Sequence, residues 1–179
     1  MEDLSLHILD IVQNSIQAGA KNIEIYIQEV PDRDELIIEI ADDGMGMDEE
    51  TVSSLLDPFF TTKDKNFGLG VPLFAQSARE AGGDIVIESS PGKGTTIRAT
   101  FQHGHIDRKP LGDIASSIRA IVGGAPDVDL LFVYSNSKGE FRFSTKELRK
   151  ALGDVPLNYP RVLEFIRDEV SEGMTRVKE

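Results

Sequence analysis

Three stretches of the chain gather residue types that could hold a charged, planar molecule. In "ADDGMGMD", residues 41–48, the carboxylate of Asp42 is followed by Gly44 and Gly46 at alternate positions. An Asp buried at a strand end accepts a hydrogen bond from an exocyclic amine such as that of adenine. Glycine lets backbone approach a flat group or take a positive φ. The same residues also read as a plain glycine turn. In "DPFFTTKDKNFGLGV", residues 57–71, Gly68, Leu69 and Gly70 precede a helix expected to begin near Val71. The free N–H groups of that helix start would form an anion site suited to phosphate. Thr61, Thr62 and Lys63 add donors and a positive charge, and Phe59 and Phe60 can anchor the base of the loop. The plain reading of the same stretch is a flexible glycine-containing loop.

The third stretch is helical. Asp3, His7, Asp10, Asn14 and Gln17 follow one another at steps of four, three, four and three, which sets them on one helix face. A solvated polar side is the plain reading. Asparagine is nevertheless a poor mid-helix residue, and the amide oxygen of Asn14 is a natural ligand for Mg²⁺, which arrives with phosphates. His7 on this face reads as a helix-capping or water-bonded residue. His103, His105 and Asp107 read as surface polar residues of a junction and not as a metal set. Met45 and Met47 fill irregular space near the base or in the core. Neither a Walker "GxxxxGK[ST]" pattern nor a strand–GxGxxG–helix unit occurs, so a nucleotide site here belongs to neither common type.

The elements that must position these groups follow from periodicity. Leu4 to Ala18 has a helical period along positions 4, 8, 11, 12 and 15–16, and Gly19 can end it. "NIEIYIQEV" and "ELIIEIADD" alternate as two half-buried, antiparallel strands around "PDRD". Residues 48–56 predict a short helix stopped by Pro58, and "VPLFAQSAREAGG" a longer one. "DIVIESS", "PGKG" and "TTIRATF" make a hairpin. This α-β-β-α-α-β-β order predicts an α/β (α+β) sandwich, with helices packed on one face of a mixed β-sheet. Beyond His105 the pattern restarts. A helix is expected in "PLGDIASSIRAIVGG", and a hairpin in "DVDLLFVYSNSKGEFRFS" turning at Lys138-Gly139. A capped helix is expected from "STKELRKAL", with Ser144 and Glu147 in capping-box spacing, and a last helix from Asn158 to about Glu172. The expected organisation is residues 1–104 as the main domain and 105–179 as a small α/β C-terminal extension packed against it.

Bulk composition narrows the partners. The 179 residues fit one domain, or one plus a small extension. Residues 1–104 hold 19 acidic and 7 basic side chains, a net of −12, while residues 105–179 hold 12 of each. The acidic half would repel a nucleic-acid backbone, so no nucleic acid is expected. The start "MEDLSLHILD" is acidic, no apolar run is long enough for a membrane span, and no cysteine is present. The expectation is a cytoplasmic protein that meets no membrane.

"LDIVQNSIQAGA", "DDGMGM", "PFFTTK", "GLGV" and "SSPGKGTTIRATF" occur in this order over residues 4 to 101 and resemble the boxes of the GHKL (Bergerat-fold) ATP-binding family. Pro58 to Val71 and "PGKGTT" look most like sensor histidine kinases, whereas "NSIQAGAKNIEI" looks more like the mismatch-repair branch. The resemblance implies ATP and Mg²⁺ as ligands. It makes Asn14 the Mg²⁺ ligand and Asp42 the contact to the adenine amine. Thr95 would support the adenine through Asp42 and water, and Gly44, Gly46, Gly68 and Gly70 would surround the nucleotide. Met47, Thr61, Lys63 and Leu69 complete the expected contacts, with the loop from about Thr61 to Gly70 as a lid. Asn66 stands where kinases carry the first of three lid glycines; asparagine is the side chain that best tolerates left-handed backbone. Asp10 stands where ATPase members carry a glutamate base, one methylene shorter. Thirteen residues precede Asn14, so an upstream phosphoacceptor-histidine hairpin is not expected. The expected function is a regulatory, kinase-like module acting on or with a partner protein in trans. A nucleotide-gated ATPase whose closure drives homodimerisation and a non-catalytic adenine-nucleotide sensor stand as alternatives.

Overall fold

The computed structural model describes residues 3–57 and 69–179. Helix α1 (Leu4–Gln17) is capped by Asp3, whose carboxylate accepts from the Leu6 amide, and it leads through Gly19 (φ +78°) into β1 (Asn22–Val30). β2 (Glu35–Asp42) returns antiparallel, pairing Ile25 with Ile40 and Ile27 with Ile38. The short α2 (Glu49–Leu55) and the longer α3 (Gly70–Glu80) follow. β3 (Asp84–Ser90) and β4 (Gly94–Gln102) then form the expected hairpin, with β4 antiparallel to β2.

The strands expected of the C-terminal segment extend the same sheet. After α4 (Ile114–Gly124), β5 (Asp129–Asn136) lies parallel to β1, and β6 (Gly139–Ser144) closes the order β3-β4-β2-β1-β5-β6. α5 (Thr145–Leu152) and α6 (Pro160–Lys178) end the chain. The sheet is mixed, as expected, through the parallel pairing of β5 with β1. One face carries Ile23, Ile25, Ile27, Leu36, Ile38, Ile40, Ala99, Phe101, Phe132 and Tyr134, all buried. α1, α3, α4 and α6 supply the opposing apolar residues, and one continuous cluster runs through both halves. Burial of a Leu or Ile side chain contributes roughly 1.5–3 kcal/mol, so this layer dominates the stability. Among the described residues no helix is long and apolar enough to cross a membrane.

Two boundaries depart from the expectation. The second hairpin turns at Ser137-Lys138, with Gly139 already paired to Asn136. α6 runs to Lys178, past the expected stop at Glu172. Gly173, just past that expected stop, is a packing residue. A Cβ there would lie 2.2 Å from the Phe141 ring, so glycine lets α6 settle onto β6.

Candidate functional site

The sequence folds so that α1, the end of β2, the loop after it and the start of β4 converge on one cleft. Its walls are Ile11, Asn14, Ser15 and Ala18 from α1, Met45, Gly46 and Met47 from the loop, and Leu55, Val71, Thr95 and Ile97. About 440 Å³ of empty space, partly open to solvent, lies between them and the Asp42 carboxylate. An apolar slot with one carboxylate in it suits a flat heteroaromatic ring that carries an amine.

Asp42 is fixed from two sides. One carboxylate oxygen accepts from the Ser15 hydroxyl at 2.6 Å, the other from the Gly44 amide at 2.9 Å. Each oxygen keeps a further acceptor site, so the carboxylate is preoriented but not saturated. Gly44 serves Asp42 in this way and does not line the cleft. Thr95 stands opposite Asp42 in the β2–β4 register, with its hydroxyl 2.8 Å from that of Ser89. Ser89 has one proton; donating it to the Gly94 carbonyl, 3.0 Å away, leaves it to accept from the Met47 amide and from Thr95. The loop glycines serve this packing. Gly46 has φ +68°, and a Cβ on it would stand 1.9 Å from the Ser90 carbonyl oxygen. Gly94, at φ +86°, would meet the Asp42 carbonyl oxygen at the same distance. Both positions exclude any side chain.

Asn14 lines the cleft and makes no side-chain hydrogen bond among the described residues, leaving its oxygen available to an ion. Asp10, one turn earlier, does not line the cleft. It abuts the first residue of α3, where a Cβ on Gly70 would lie 3.0 Å from the Asp10 Cβ. Burial raises its carboxyl above the ordinary aspartate value. Leu69 is 68% exposed and lines a surface groove with Leu56, Pro72 and Leu73, away from the cleft. Thr61, Lys63 and Gly68, with Phe59, Phe60, Thr62 and Asn66, lie outside the described residues.

The polar face expected for α1 is broken at His7. The cap is Asp3, and His7 is 1% exposed, its ring centroid 5.6 Å from that of Phe74. Neither ring nitrogen has a hydrogen-bond partner among the described residues. Burial, reinforced by the Lys109 charge, lowers its pKa to about 4. The helix is packed by α3 on one side and α4 on the other, so its buried face is wider than the apolar stripe alone. His103 pairs with Glu29 at 3.4 Å, and His105 accepts the Asp107 amide through Nδ1 at 3.1 Å; both are parts of the junction after β4. Ser15 and Ser89 went unrecognised in the sequence. Ser15 did leave a signal, a hydroxyl on an otherwise apolar helix stripe, whereas Ser89 left none.

The family model for histidine kinase-, DNA gyrase B- and HSP90-like ATPases matches residues 2–105, more than half of the chain. The chain belongs to this ATPase family. Similar curated proteins include sporulation kinase E of Bacillus subtilis, 33% identical over 94 residues, covering 52% of this chain and 13% of the kinase. Sporulation kinase C of the same organism is 32% identical, covering 52% of this chain and 22% of that one. Nitrogen regulation protein NtrY of Azorhizobium caulinodans is 37% identical over 70 residues, covering 38% and 9%. The chain thus spans less than a quarter of the length of these relatives. A crystal structure of the N-terminal domain of a DNA repair protein superposes with a TM-score of 0.52 at 18% identity, over 80% of this chain and 52% of that one. That likeness concerns the fold, and it reaches beyond the residues that the ATPase family model covers.

Proposed function

We propose that the cleft binds ATP with Mg²⁺ and that the chain acts as a regulatory, kinase-like module on or with a partner protein in trans. The observation that carries the reading is Asp42, held by Ser15 and Gly44 in an apolar slot whose single carboxylate suits the amine edge of adenine. An adenine amine donates to this carboxylate, and Thr95 supports the same edge of the base from β4. Asn14 offers a neutral oxygen to Mg²⁺, whose remaining sites phosphate oxygens and water would fill. The bound ion would neutralise phosphate charge. This chain's own part is to hold the base, orient the phosphates toward the start of α3 and keep water from the buried end of the ring. Kinase names among the relatives support phosphoryl transfer. The test is product analysis with γ-labelled ATP. Label on a co-purified or candidate partner protein supports the proposal, whereas free phosphate alone or unchanged nucleotide contradicts it.

A second reading has one observation in its favour. Burial raises the Asp10 carboxyl beside the start of α3, and in this reading it would take a proton from a water attacking phosphates at the mouth of the cleft. The chain would then be a weak ATPase, and Asp10→Asn would abolish phosphate release while leaving ATP affinity unchanged.

A further inference from the structure

The two edges of the sheet are built differently, and only one matches itself. β3 at one end carries Asp84 and Glu88 as its only charges. A second β3 centred on Val86 would set these acids against each other, which guards that edge. β6 at the other end reads Gly139-Glu140-Phe141-Arg142-Phe143-Ser144. Phe141 and Phe143 turn into the core, while Glu140 and Arg142 are exposed on the opposite face, and neither has an ion-pair partner among the described residues.

The backbone of β6 follows the antiparallel alternation. A two-residue turn makes Asn136 and Gly139 a hydrogen-bonded pair, and every second pair repeats it: Tyr134 with Phe141, Phe132 with Phe143. Leu130 continues the series by donating its amide to Thr145 Oγ1 at 2.8 Å. The N–H and C=O groups of Glu140, Arg142 and Ser144 therefore point outward from the sheet. Above this edge α6 runs antiparallel to β6. Gly173 sits over Phe141, and the Val177 carbonyl accepts from Asn136 at 3.2 Å. An open groove lies between Gly139–Phe141 and the flank of α6 at Gly173, Arg176 and Val177.

We infer that this edge pairs with a second copy of the chain, β6 against β6, about a two-fold axis beside Phe141. In that register Glu140 of one copy stands opposite Arg142 of the other, twice over, and these are the residues whose backbone groups point outward. Strand and charge patterns thus select the same alignment. The helix above obeys the same axis. With Gly173 near it, Glu169 of one α6 falls beside Arg176 of the other; within one chain these two are only 3.9 Å apart in a solvent-exposed pair. Two charge pairs related by one axis, over an edge with unpaired backbone groups, specify an isologous interface. The inference is independent of nucleotide binding.

The test is sedimentation equilibrium on the full chain, from low micromolar to about 100 µM, for the parent, Arg142→Glu, Glu140→Arg and the double exchange. Both residues are exposed, so each variant should keep the parent's circular dichroism spectrum. The parent is expected to be a dimer that weakens with salt. Each single variant sets like charges opposite at two places and should raise the dissociation constant by at least about tenfold. The double exchange restores opposite charges in the same register and should restore the dimer. A monomeric parent, whether its edge is left bare or taken by another protein's strand, overturns the inference. So does an Arg142→Glu chain as dimeric as the parent, or a folded double exchange that stays monomeric.

Discussion

His7 offers a sharp test because its burial has a computable consequence. A free imidazole titrates near 6.5, and in the folded chain burial first, then the Lys109 charge, bring it to about 4. The folded value is depressed, so the unfolded chain binds more protons between these limits, and stability falls as pH drops from about 6.5 toward 4. Linkage puts the loss from this one residue at about 2 kcal/mol at pH 5 and about 3 kcal/mol at pH 4. The perturbation is His7→Phe, which keeps a ring against Phe74 and removes two buried nitrogens that lack partners among the described residues. Urea unfolding of both chains from pH 7.5 to 4 would measure it. At pH 7.5 the variant should be at least as stable as the parent, since an unpaired buried polar group costs about 1–3 kcal/mol. The gap in its favour should then widen by about 3 kcal/mol at pH 4. Other carboxylates titrate in the same range, but they do so in both chains and cancel in the difference. A gap that stays constant with pH would refute the reasoning.

Other outcomes follow from the cleft. Asp42→Asn puts a donor either toward the adenine amine or toward the Gly44 amide, and calorimetry should show ATP binding weakened by about 1–3 kcal/mol, with the fold retained. Ser15→Ala should weaken ATP by a smaller step, about 0.5–1.5 kcal/mol, because it only loosens the carboxylate. Asn14→Ala should remove the advantage that Mg²⁺ gives to ATP while leaving metal-free ADP binding nearly unchanged, as titration with and without the ion would show. Gly46→Ala should lower the melting temperature even without nucleotide, because its Cβ would collide with the Ser90 carbonyl.

What the sequence disclosed depended on how local the cause was. The alternation of Ile23, Ile25 and Ile27 and the helical stripe of α1 are local, and both elements formed as expected. The convergence of Asn14, Asp42, Gly46, Met47 and Thr95 on one cleft was legible only through the ordered boxes, since each alone reads equally well as a turn or a solvated face. His7 was misread because residue type marks a polar face, whereas exposure depends on which helices flank α1. The exposure of Leu69 was hidden for a similar reason. Its neighbouring glycines gave no direction for its side chain, which the start of α3 decides. The parallel pairing of β5 with β1 joins residues about a hundred positions apart and leaves no periodic trace. The packing role of Gly173 left no local sign, because the ring it accommodates lies on another element.

The central claim is that Asp42 reads the exocyclic amine of a nucleotide base. The direct measurement is calorimetric titration of the parent chain, with Mg²⁺ present, by ATP and by inosine triphosphate. These share ribose and triphosphate and differ at one edge of the base, where a carbonyl replaces the adenine amine and N1 gains a proton. The account predicts that ATP binds at least about tenfold more tightly, because a carbonyl facing the Asp42 carboxylate supplies no donor. Equal affinity for the two would contradict it.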